Sequence, residues 1–406
     1  MNSPKIPTSE RRVVLAIDGG TPTRSQMLSY GHQVIDDDDI AAVTAVLRSD
    51  WLTTGPEVTK FEEEFAAFVG AAHAVAVANG TAALHAAAFA AGIGPGDEAI
   101  VTAMTFAATA NCIRYQGGTV RFADVRADTL NIDPNSVASL INSRTKAIVT
   151  VDYGGQPSDL AELLDLARSH NLILIEDAAH AIGANYRDVR VGSWADVTTF
   201  SLHPVKQMTA GEGGLLTTMK PELAARARAF RNHGITTDAR QRANAGSWAY
   251  EMVELGYNYR LTDFQCALGR SQLKKLPGWL VRRREIARRY TSAFESLSEI
   301  TTPAVLSDRD SAWHLYTIRL NLPRLRVDRA RFFSALRAEN IGANVHYIPV
   351  PWHPYYQALG YQKGQWPAAE QAYERLITLP LWAGMTDTDV EDVISAVNKI
   401  CDAYRV

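Results

Sequence analysis

Cysteine is scarce in this sequence. Only Cys112, Cys266 and Cys401 occur in 406 residues, they are widely spaced, and no CxxC pair is present. This scarcity disfavours a disulfide framework and a cysteine-rich metal site, so no metal is expected. It fits a protein of the reducing cytoplasm.

Strong charge and long apolar runs are also missing. The formal net charge is −3, which gives no reason to expect a nucleic-acid partner or a membrane partner. No stretch approaches the ~18 apolar residues of a membrane span. The apolar run at residues 13–17 is too short for a signal-peptide core. We therefore predict a cytoplasmic protein.

The chain does have length and an alternating pattern. Its 406 residues suggest two or three domains at roughly 150 residues per domain. Short apolar runs predict strands at 73–77, 99–101, 120–123, 147–151, 172–175, 197–201 and 215–218. Helical patterns lie between them at 81–91, 106–115 and 161–170. This alternation predicts a mostly parallel sheet with helices on both faces, an α/β fold.

The pattern changes after about residue 269. A long, basic helical region extends to Arg289, and apolar runs then predict strands at 314–320 and 344–350. We therefore predict an N-terminal segment (1–35), a large domain (36–270) and a smaller C-terminal α/β domain (271–406).

Reactive side chains follow several predicted strands, where ligands bind in open α/β sheets. Residues 172–175 lead into Glu176 and Asp177, which can deliver a carboxylate to a partly buried site. A helix N-cap is the alternative role for Asp177. Asn79-Gly80-Thr81 follows a strand and opens a helix, where free N–H groups suit a phosphate, although a tight turn alone would also explain the glycine.

A loop between two predicted strands carries Lys206 within FSLHPVKQMTAGEGG (200–214). Apolar surroundings lower the pKa of a lysine because they disfavour its charged form. A neutral amine can condense with an aldehyde. A lone lysine in a loop is usually only a surface charge, so the prediction depends on the whole segment.

The chain resembles the DegT/StrS-type sugar aminotransferases, which are fold-type I pyridoxal-phosphate (PLP) enzymes. The resemblance extends from residue 52 to the C-terminus. It is carried by WLTTGPEVTKFEEEFA (51–66), VANGTAAL (77–84), TFAATANCI (105–113), DYGGQPSDL (152–160), IEDAAHAIGA (175–184), FSLHPVKQMTAGEGG (200–214) and GYNYRLTDFQCALG (256–269). It implies the fold-type I PLP-dependent transferase fold, PLP as the cofactor and aminotransferase activity.

The resemblance also implies roles for matching positions. Lys206 would hold PLP covalently, and Asp177 would pair with the pyridine nitrogen so that the ring can act as an electron sink. The other cofactor contacts would be a phosphate cradle, two groups beside the ring, and one residue from the neighbouring subunit. These are Gly80, Thr81, Ala82 and Ser201 for the phosphate, Phe106 and His180 for the ring, and Asn258 from the neighbour. Such sharing implies a homodimer.

Substrate recognition is the least determined part of the site. Retention of Lys206 favours transamination over the dehydratase activity of relatives that carry histidine there. L-Glutamate is the expected amino donor, with Arg260 a candidate for its carboxylate. The candidate substrate contacts are Thr53, Thr54, Arg260, His346 and Tyr347.

The segment VHYIPVPWHPYYQALGY (345–361) resembles the branch that acts at C4 of UDP-4-keto-6-deoxy-N-acetylhexosamines. That branch includes the transaminase that forms UDP-4-amino-4,6-dideoxy-N-acetyl-β-L-altrosamine. Pro351-Trp352 departs from its usual pattern, and LAIDGGTPTR (15–24) is more similar to antibiotic-sugar and cyclitol aminotransferases. A dTDP- or GDP-linked keto-sugar or a keto-cyclitol therefore stays open as the substrate.

Two other classes of protein remain as alternatives. A PLP-binding regulator without turnover would not need Lys206, Asp177 and Asn258 together. A Rossmann-type dehydrogenase would need G-x-G-x-x-G after its first strand, which this sequence lacks.

Overall fold

The computed structural model describes residues 14–237 and 239–406. Residues 1–13 of the predicted N-terminal segment lie outside this range. The helices of the described residues are α1 (Asp37–Leu47), α2 (Pro56–Val69), α3 (Gly80–Ala90), α4 (Ala107–Tyr115), α5 (Pro134–Leu140), α6 (Leu160–Ser169), α7 (Pro221–Phe230), α8 (Ala239–Asn244), α9 (Asp263–Phe294), α10 (Arg329–Ala338), α11 (Pro354–Gln357), α12 (Pro367–Tyr373) and α13 (Asp387–Tyr404). Short 3₁₀ helices lie at Ala16–Asp18, Tyr153–Gly155, Leu322–Arg324 and Val350–Trp352. None of the helices in this part of the chain is long and apolar enough to cross a membrane.

Strands form three sheets in the same part of the chain. They are β1 (His73–Val77), β2 (Glu98–Thr102), β3 (Thr119–Ala123), β4 (Thr145–Val151), β5 (Ile173–Asp177), β6 (Asn185–Tyr186), β7 (Val189–Arg190), β8 (Val197–Ser201), β9 (Gly214–Thr218), β10 (Ile300–Thr301), β11 (Arg309–Asp310), β12 (Tyr316–Leu320) and β13 (Leu376–Leu379).

The large sheet has the order β1-β9-β8-β5-β4-β2-β3. From β8 to β3 all neighbours are parallel, whereas β9 runs antiparallel to both β8 and β1. Strands β2, β8 and β9 are buried along their whole length, as expected when helices cover both faces. The prediction of a mostly parallel sheet is confirmed.

Helices cover both faces of the large sheet. On one face α3, α4 and α7 contribute Leu84, Ile113 and Phe230 to a core with residues of β1, β2 and β4. On the other face, Phe61 and Phe65 of α2 pack with residues of β8, β9 and α9. Capping fixes where these helices begin: Asn79 accepts from Ala82 at the start of α3, and Thr262 forms a capping box with Gln265 at the start of α9.

The C-terminal unit contains the antiparallel sheet β10-β12-β13. Helices α10 and α13 pack against it through a separate core that also contains Leu15 and Leu28. The backbone N–H groups of Ala16 and Thr23 donate to the carboxylate of Glu339, at 2.9 and 2.8 Å. The described part of the N-terminal segment therefore packs on the C-terminal unit.

Helix α9 connects the two large cores. Its first half places Leu276 in the core beneath the large sheet, and its second half places Ile286 and Tyr290 in the C-terminal core. The helix crosses the predicted domain boundary at residue 270 without interruption. That boundary stays a prediction.

The predicted strand at residues 344–350 is wrong. The backbone there makes only an isolated bridge between Asn344 and Thr378, followed by the 3₁₀ helix Val350–Trp352. Pro349 and Pro351 lack the N–H donors that a ladder needs. The strand that does pair with β12 is β13.

Candidate active site

A cavity of about 470 Å³ lies at the carboxyl ends of parallel strands in the large sheet. Val151, Asp177 and Ser201 are the last residues of β4, β5 and β8, and all three line it. The C-terminal unit adds His314, His346 and Tyr347, and the N-terminal segment adds Tyr30. This is the edge of an open α/β sheet where ligands bind.

The structure brings nine of the predicted site residues to this cavity. They are Gly80, Thr81, Phe106, Asp177, His180, Ser201, Lys206, His346 and Tyr347. They come from widely separated parts of the sequence, so the fold gathers them. Their individual roles stay predictions.

The other five predicted residues do not line this cavity. Ala82 is buried, and its N–H donates to Asn79 Oδ1 at 2.8 Å. Thr54 and Arg260 line a second cavity of about 500 Å³, and Arg260 donates to Asn232 Oδ1 at 2.8 Å. Thr53 bridges Thr262, and Asn258 is exposed and bridges Asn232. Within one protomer none of these five residues lines the cavity that contains Lys206.

Asp177 delivers a buried carboxylate to the cavity. Its Oδ2 accepts from the Thr109 hydroxyl at 2.7 Å, and its Oδ1 accepts from the Ala179 N–H at 3.1 Å. Burial raises the pKa of Asp177, while these two hydrogen bonds and the charge of Lys206 oppose the rise. The turn that follows contains no helix, so Asp177 is not a helix N-cap.

Lys206 carries an amine with a low pKa. Burial lowers its pKa to about 8; the charge of Asp177 raises it and that of Arg283 lowers it. The Lys206 Nζ lies 3.3 Å from His314 Nε2. A substantial fraction of the amine is therefore neutral near physiological pH and able to act as a nucleophile or base.

His180 is held as a neutral imidazole. The Gly154 N–H donates to its Nδ1 at 3.3 Å, so the ring proton is assigned to Nε2, which donates to the Tyr347 hydroxyl at 2.9 Å. Burial lowers its pKa well below the usual value, and the charges of Lys206 and His346 act in the same direction. Gln207 Nε2 donates to the His180 carbonyl, which further fixes its position.

The start of α3 forms a cradle with the end of β8. A Cβ added at Gly80 would lie 2.9 Å from Ser201 Cβ and 3.1 Å from its Oγ, so only glycine lets the two segments approach this closely. The N–H groups of Gly80 and Thr81 belong to the first helical turn, where no helical acceptor exists. A hydroxyl and free N–H groups at a helix N-terminus suit a phosphate.

Two contacts of the site were missed from the sequence. Thr109 binds Asp177 and also pairs with Thr105 Oγ1 at 2.8 Å; the i, i+4 threonines in TFAATANCI were an available signal. His314 faces Lys206, yet its position as the first residue of a predicted strand gave no indication of this. The Nδ1 atom of His314 has no partner among the described residues.

Two further carboxyl groups, those of Asp152 and Glu176, lie buried beside Asp177. Asp152 Oδ1 accepts from the Ser158 N–H at 2.8 Å, and Glu176 Oε2 accepts from Thr198 Oγ1 at 2.7 Å. The other oxygens, Asp152 Oδ2 and Glu176 Oε1, have no other partner among the described residues. Burial raises the pKa of Asp152 to about 7 and that of Glu176 well above its usual value. Both groups therefore bind a proton more readily than ordinary carboxyl groups do.

Comparison with known proteins gives consistent matches. The sequence model of the DegT/DnrJ/EryC1/StrS aminotransferase family matches residues 33–398. The spore coat polysaccharide biosynthesis protein SpsC of Bacillus subtilis (strain 168) is 46% identical over 380 residues, which are 93% of this chain and 98% of that protein.

Solved structures match over nearly the same range. Streptococcus pneumoniae Spr1654 in its PMP form superposes with a TM-score of 0.86 at 32% identity, over 92% of this chain and 99% of that chain. Its PLP form also has a TM-score of 0.86. Helicobacter pylori PseC, an aminotransferase involved in the biosynthesis of pseudoaminic acid, has a TM-score of 0.86 and 32% identity over 92% of this chain and 99% of its own.

Proposed function

Because this chain belongs to the DegT/DnrJ/EryC1/StrS aminotransferase family, we propose that it transfers the amino group of L-glutamate to a nucleotide-linked keto-sugar. It is a PLP-dependent sugar aminotransferase. The proposed acceptor is the C4 ketone of a UDP-4-keto-6-deoxy-N-acetylhexosamine, and the products are the 4-amino sugar and 2-oxoglutarate. The proposed enzyme is a cytoplasmic homodimer.

One observation carries the proposal. A single cavity combines the Lys206 amine, the buried Asp177 carboxylate and the close approach of Gly80 to Ser201. Pyridoxal phosphate, the cofactor, has an aldehyde, a basic ring nitrogen and a phosphate. The cavity therefore offers a matching group for each part of the cofactor.

Different residues would hold different parts of the cofactor. Lys206 would bind the aldehyde carbon, and Asp177 would face the ring nitrogen. Phe106 and His180 would contact the ring, while Gly80, Thr81, Ala82 and Ser201 would surround the phosphate. Since the N–H of Ala82 is already bonded to Asn79, Ala82 would contribute packing and not a hydrogen bond. Asn258 would reach the phosphate of the neighbouring subunit.

Proton transfer is the main task of Lys206. The bound ring supplies an electron sink for the bonding pair released at the reacting carbon. Lys206 Nζ then removes the proton from Cα of glutamate and later delivers a proton to the sugar carbon that receives the amine. The low pKa of Lys206 places its protonation equilibrium near the working pH, as proton transfer in both directions requires.

A separate set of observations supports the proposed sugar acceptor. His346 and Tyr347 lie in the segment that resembles the UDP-N-acetylhexosamine branch, and both line the cavity. PseC acts in pseudoaminic acid biosynthesis, and SpsC acts in spore coat polysaccharide biosynthesis. Thr53, Thr54 and Arg260 are outside the cavity of their own protomer, so as substrate contacts they would have to serve the neighbouring one.

Attachment of the cofactor can be tested directly. Borohydride should fix PLP to the protein, and the labelled peptide should contain Lys206. The variant Lys206→Ala should take up no label, because the reactive amine is gone, while Lys60→Ala, at an exposed lysine, should label normally. Undiminished labelling of Lys206→Ala would refute the assignment.

The acceptor can be identified with a panel of sugars. Enzyme converted to its amine form by L-glutamate should be mixed with UDP-, dTDP- and GDP-linked 4-keto-6-deoxy sugars, and products followed by mass spectrometry. We expect the amino sugar from the UDP-linked N-acetylhexosamine. A preference for a dTDP- or GDP-linked sugar, or for a cyclitol, would show that the proposed UDP-linked substrate is wrong. No turnover with any amino donor would favour a PLP-binding regulator.

A further inference from the structure

Arg283, on α9, is a buried arginine that has no acidic partner among the described residues. Its exposed fraction is only 1%, and burial lowers its pKa to about 10. An unpaired buried charge is costly unless it is fully hydrogen-bonded. The burial of Arg283 therefore indicates that this side chain has a function that compensates for the cost in stability.

The guanidinium binds three backbone carbonyls. Nη1 donates to the carbonyls of Trp313 and Leu381 at 3.0 and 3.1 Å, and Nη2 donates to the carbonyl of Lys206 at 3.4 Å. Trp313 immediately precedes His314, whose Nε2 lies 3.3 Å from Lys206 Nζ. One side chain thus holds both segments that meet at the reactive amine.

The backbone at Trp313 needs such support. Its φ of 48° is in the left-handed region, which costs energy for a residue with a Cβ. The Trp313 N–H donates to Ser311 Oγ at 3.0 Å, and its carbonyl is bound by Arg283. Both ends of this strained peptide segment are therefore fixed just before His314.

We propose that Arg283 is a positioning residue that holds Lys206 and His314 at hydrogen-bond distance by binding the carbonyls of Lys206 and Trp313. This inference rests on the proposed role of Lys206 in binding PLP. Arg283 would touch neither the cofactor nor the substrate. It would act on the reaction through the placement and the charge state of Lys206.

The charge of Arg283 affects Lys206 as well. The ionisable groups around Lys206, from all the elements packed against it, are Tyr30, Asp177, His180, His203, Glu212, Arg283, His314, His346 and Tyr347. Burial lowers the pKa of Lys206; the charge of Asp177 raises it, and that of Arg283 lowers it. Loss of the Arg283 charge should therefore favour the protonated nitrogen.

Two substitutions separate charge from placement. Arg283→Gln is neutral but can still donate to carbonyls, whereas Arg283→Lys keeps the charge but loses the planar fork that reaches three acceptors. The control is Arg288→Gln, an exposed arginine on the same helix. The readouts on each holoenzyme are the pH midpoint of the visible absorption band, kcat, KM for the sugar, and the melting temperature.

We expect the midpoint of Arg283→Gln to move up by about one pH unit, a typical effect of one nearby charge. Arg283→Lys should keep a midpoint close to wild type. In both variants kcat should fall by about tenfold to a hundredfold, since displaced reacting groups lose rate steeply, while KM changes little. Arg288→Gln should match wild type in every readout.

Two results would overturn the inference. The first is that both Arg283 variants fold, bind the cofactor and keep the wild-type midpoint and kcat. The second is that both variants fail to fold, because the role of Arg283 would then be structural. Absence of borohydride label at Lys206 in the wild type is a separate result, since it would refute the proposed function before any Arg283 variant is compared.

Discussion

Burial of the side chains around the cavity determines which of them carry a charge. Burial lowers the pKa of Lys206 to about 8 and that of His346 to about 4. It also lowers the pKa values of His180 and His314 well below the usual range for histidine. At neutral pH the three imidazoles are therefore uncharged, and Lys206 is the one of these four groups that can exchange a proton readily.

The buried pair of Asp152 and Glu176 predicts a pH-dependent stability. Both pKa values are raised in the folded protein, so the folded state binds more protons than the unfolded chain. The free energy of unfolding should then fall as pH rises from the ordinary carboxyl values, near 4, through about 7 and above. Glu176→Gln should reduce this fall by about 1–3 kcal/mol between pH 5 and pH 8.

Urea unfolding at a series of pH values measures this effect. Glu63→Gln is a matched control because Glu63 is an exposed residue of α2. Identical pH profiles for the wild type and Glu176→Gln would mean that the pKa of Glu176 is not raised in the folded protein.

At the residue scale, the sequence identifies side chains whose chemistry depends on a local motif. Lys206 and Asp177 are of this kind, because each follows a strand in a recognisable segment. Thr109 and His314 matter only through contacts made by distant segments, at 68 and 108 positions from their partners. The pairing of Thr109 with Thr105 has a local signal, but the contacts with Asp177 and Lys206 depend on tertiary packing.

At the element scale, the junction of α3 and β8 is the most constrained part of the cradle. In Gly80→Ala the new Cβ would crowd Ser201 at about 3 Å, so one segment must shift. We expect PLP affinity to fall at least about tenfold, or ~1.4 kcal/mol, with little change in fold. Absorbance titration of the apoenzyme with PLP measures the affinity.

Gly94→Ala is the control for this prediction. Gly94 has no atom within 4 Å of the added Cβ and no positive φ. Wild-type affinity in Gly80→Ala would show that the close approach to Ser201 is not needed for phosphate binding.

Regular elements were predictable where the apolar pattern and the hydrogen bonding agree. The predicted strands at 73–77 and 197–201 coincide with β1 and β8, which are short strands that are almost completely buried. Residues 344–350 also contain apolar side chains, but Pro349 cannot donate to a ladder, and Pro351 follows directly after the segment. The run at β13 was missed because four residues carry too weak a periodic signal.

At the scale of the whole molecule, one protomer places Asn258 on its surface. Trp248, Met252 and Leu255 nearby have exposed fractions of 89%, 64% and 77%, which is unusual for large apolar side chains. The Tyr259 carbonyl accepts from the Ala78 N–H at 2.8 Å, so the segment that presents Asn258 is bonded to the rest of the fold. These features support the proposed homodimer.

Subunit complementation tests this assembly. Lys206→Ala and Asn258→Ala should each be inactive alone, while the mixture should recover about one quarter of wild-type activity, because half of randomly mixed dimers are heterodimers with one intact site of two. Sedimentation of the holoprotein should show a dimer at micromolar concentration. A monomeric active enzyme, or no recovery after demonstrated subunit exchange, would mean that Asn258 does not serve a neighbour.

The arrangement of the units was less predictable than their content. A change of pattern near residue 269 indicates a second unit, but α9 continues through that point because its two halves are buried in different cores. The described part of the N-terminal segment packs on the C-terminal unit through Leu15 and Leu28. These contacts join the beginning and the end of the sequence, and no local pattern indicates them.

Helix α9 also has a mechanical consequence. Its 32 residues span about 48 Å at the standard rise of 1.5 Å per residue. The helix starts shortly after Asn258, binds the carbonyl of Lys206 through Arg283 about two thirds of the way along, and ends in the C-terminal core. A continuous helix therefore ties the surface that presents Asn258, the loop that carries the reactive amine and the C-terminal core into one structural unit.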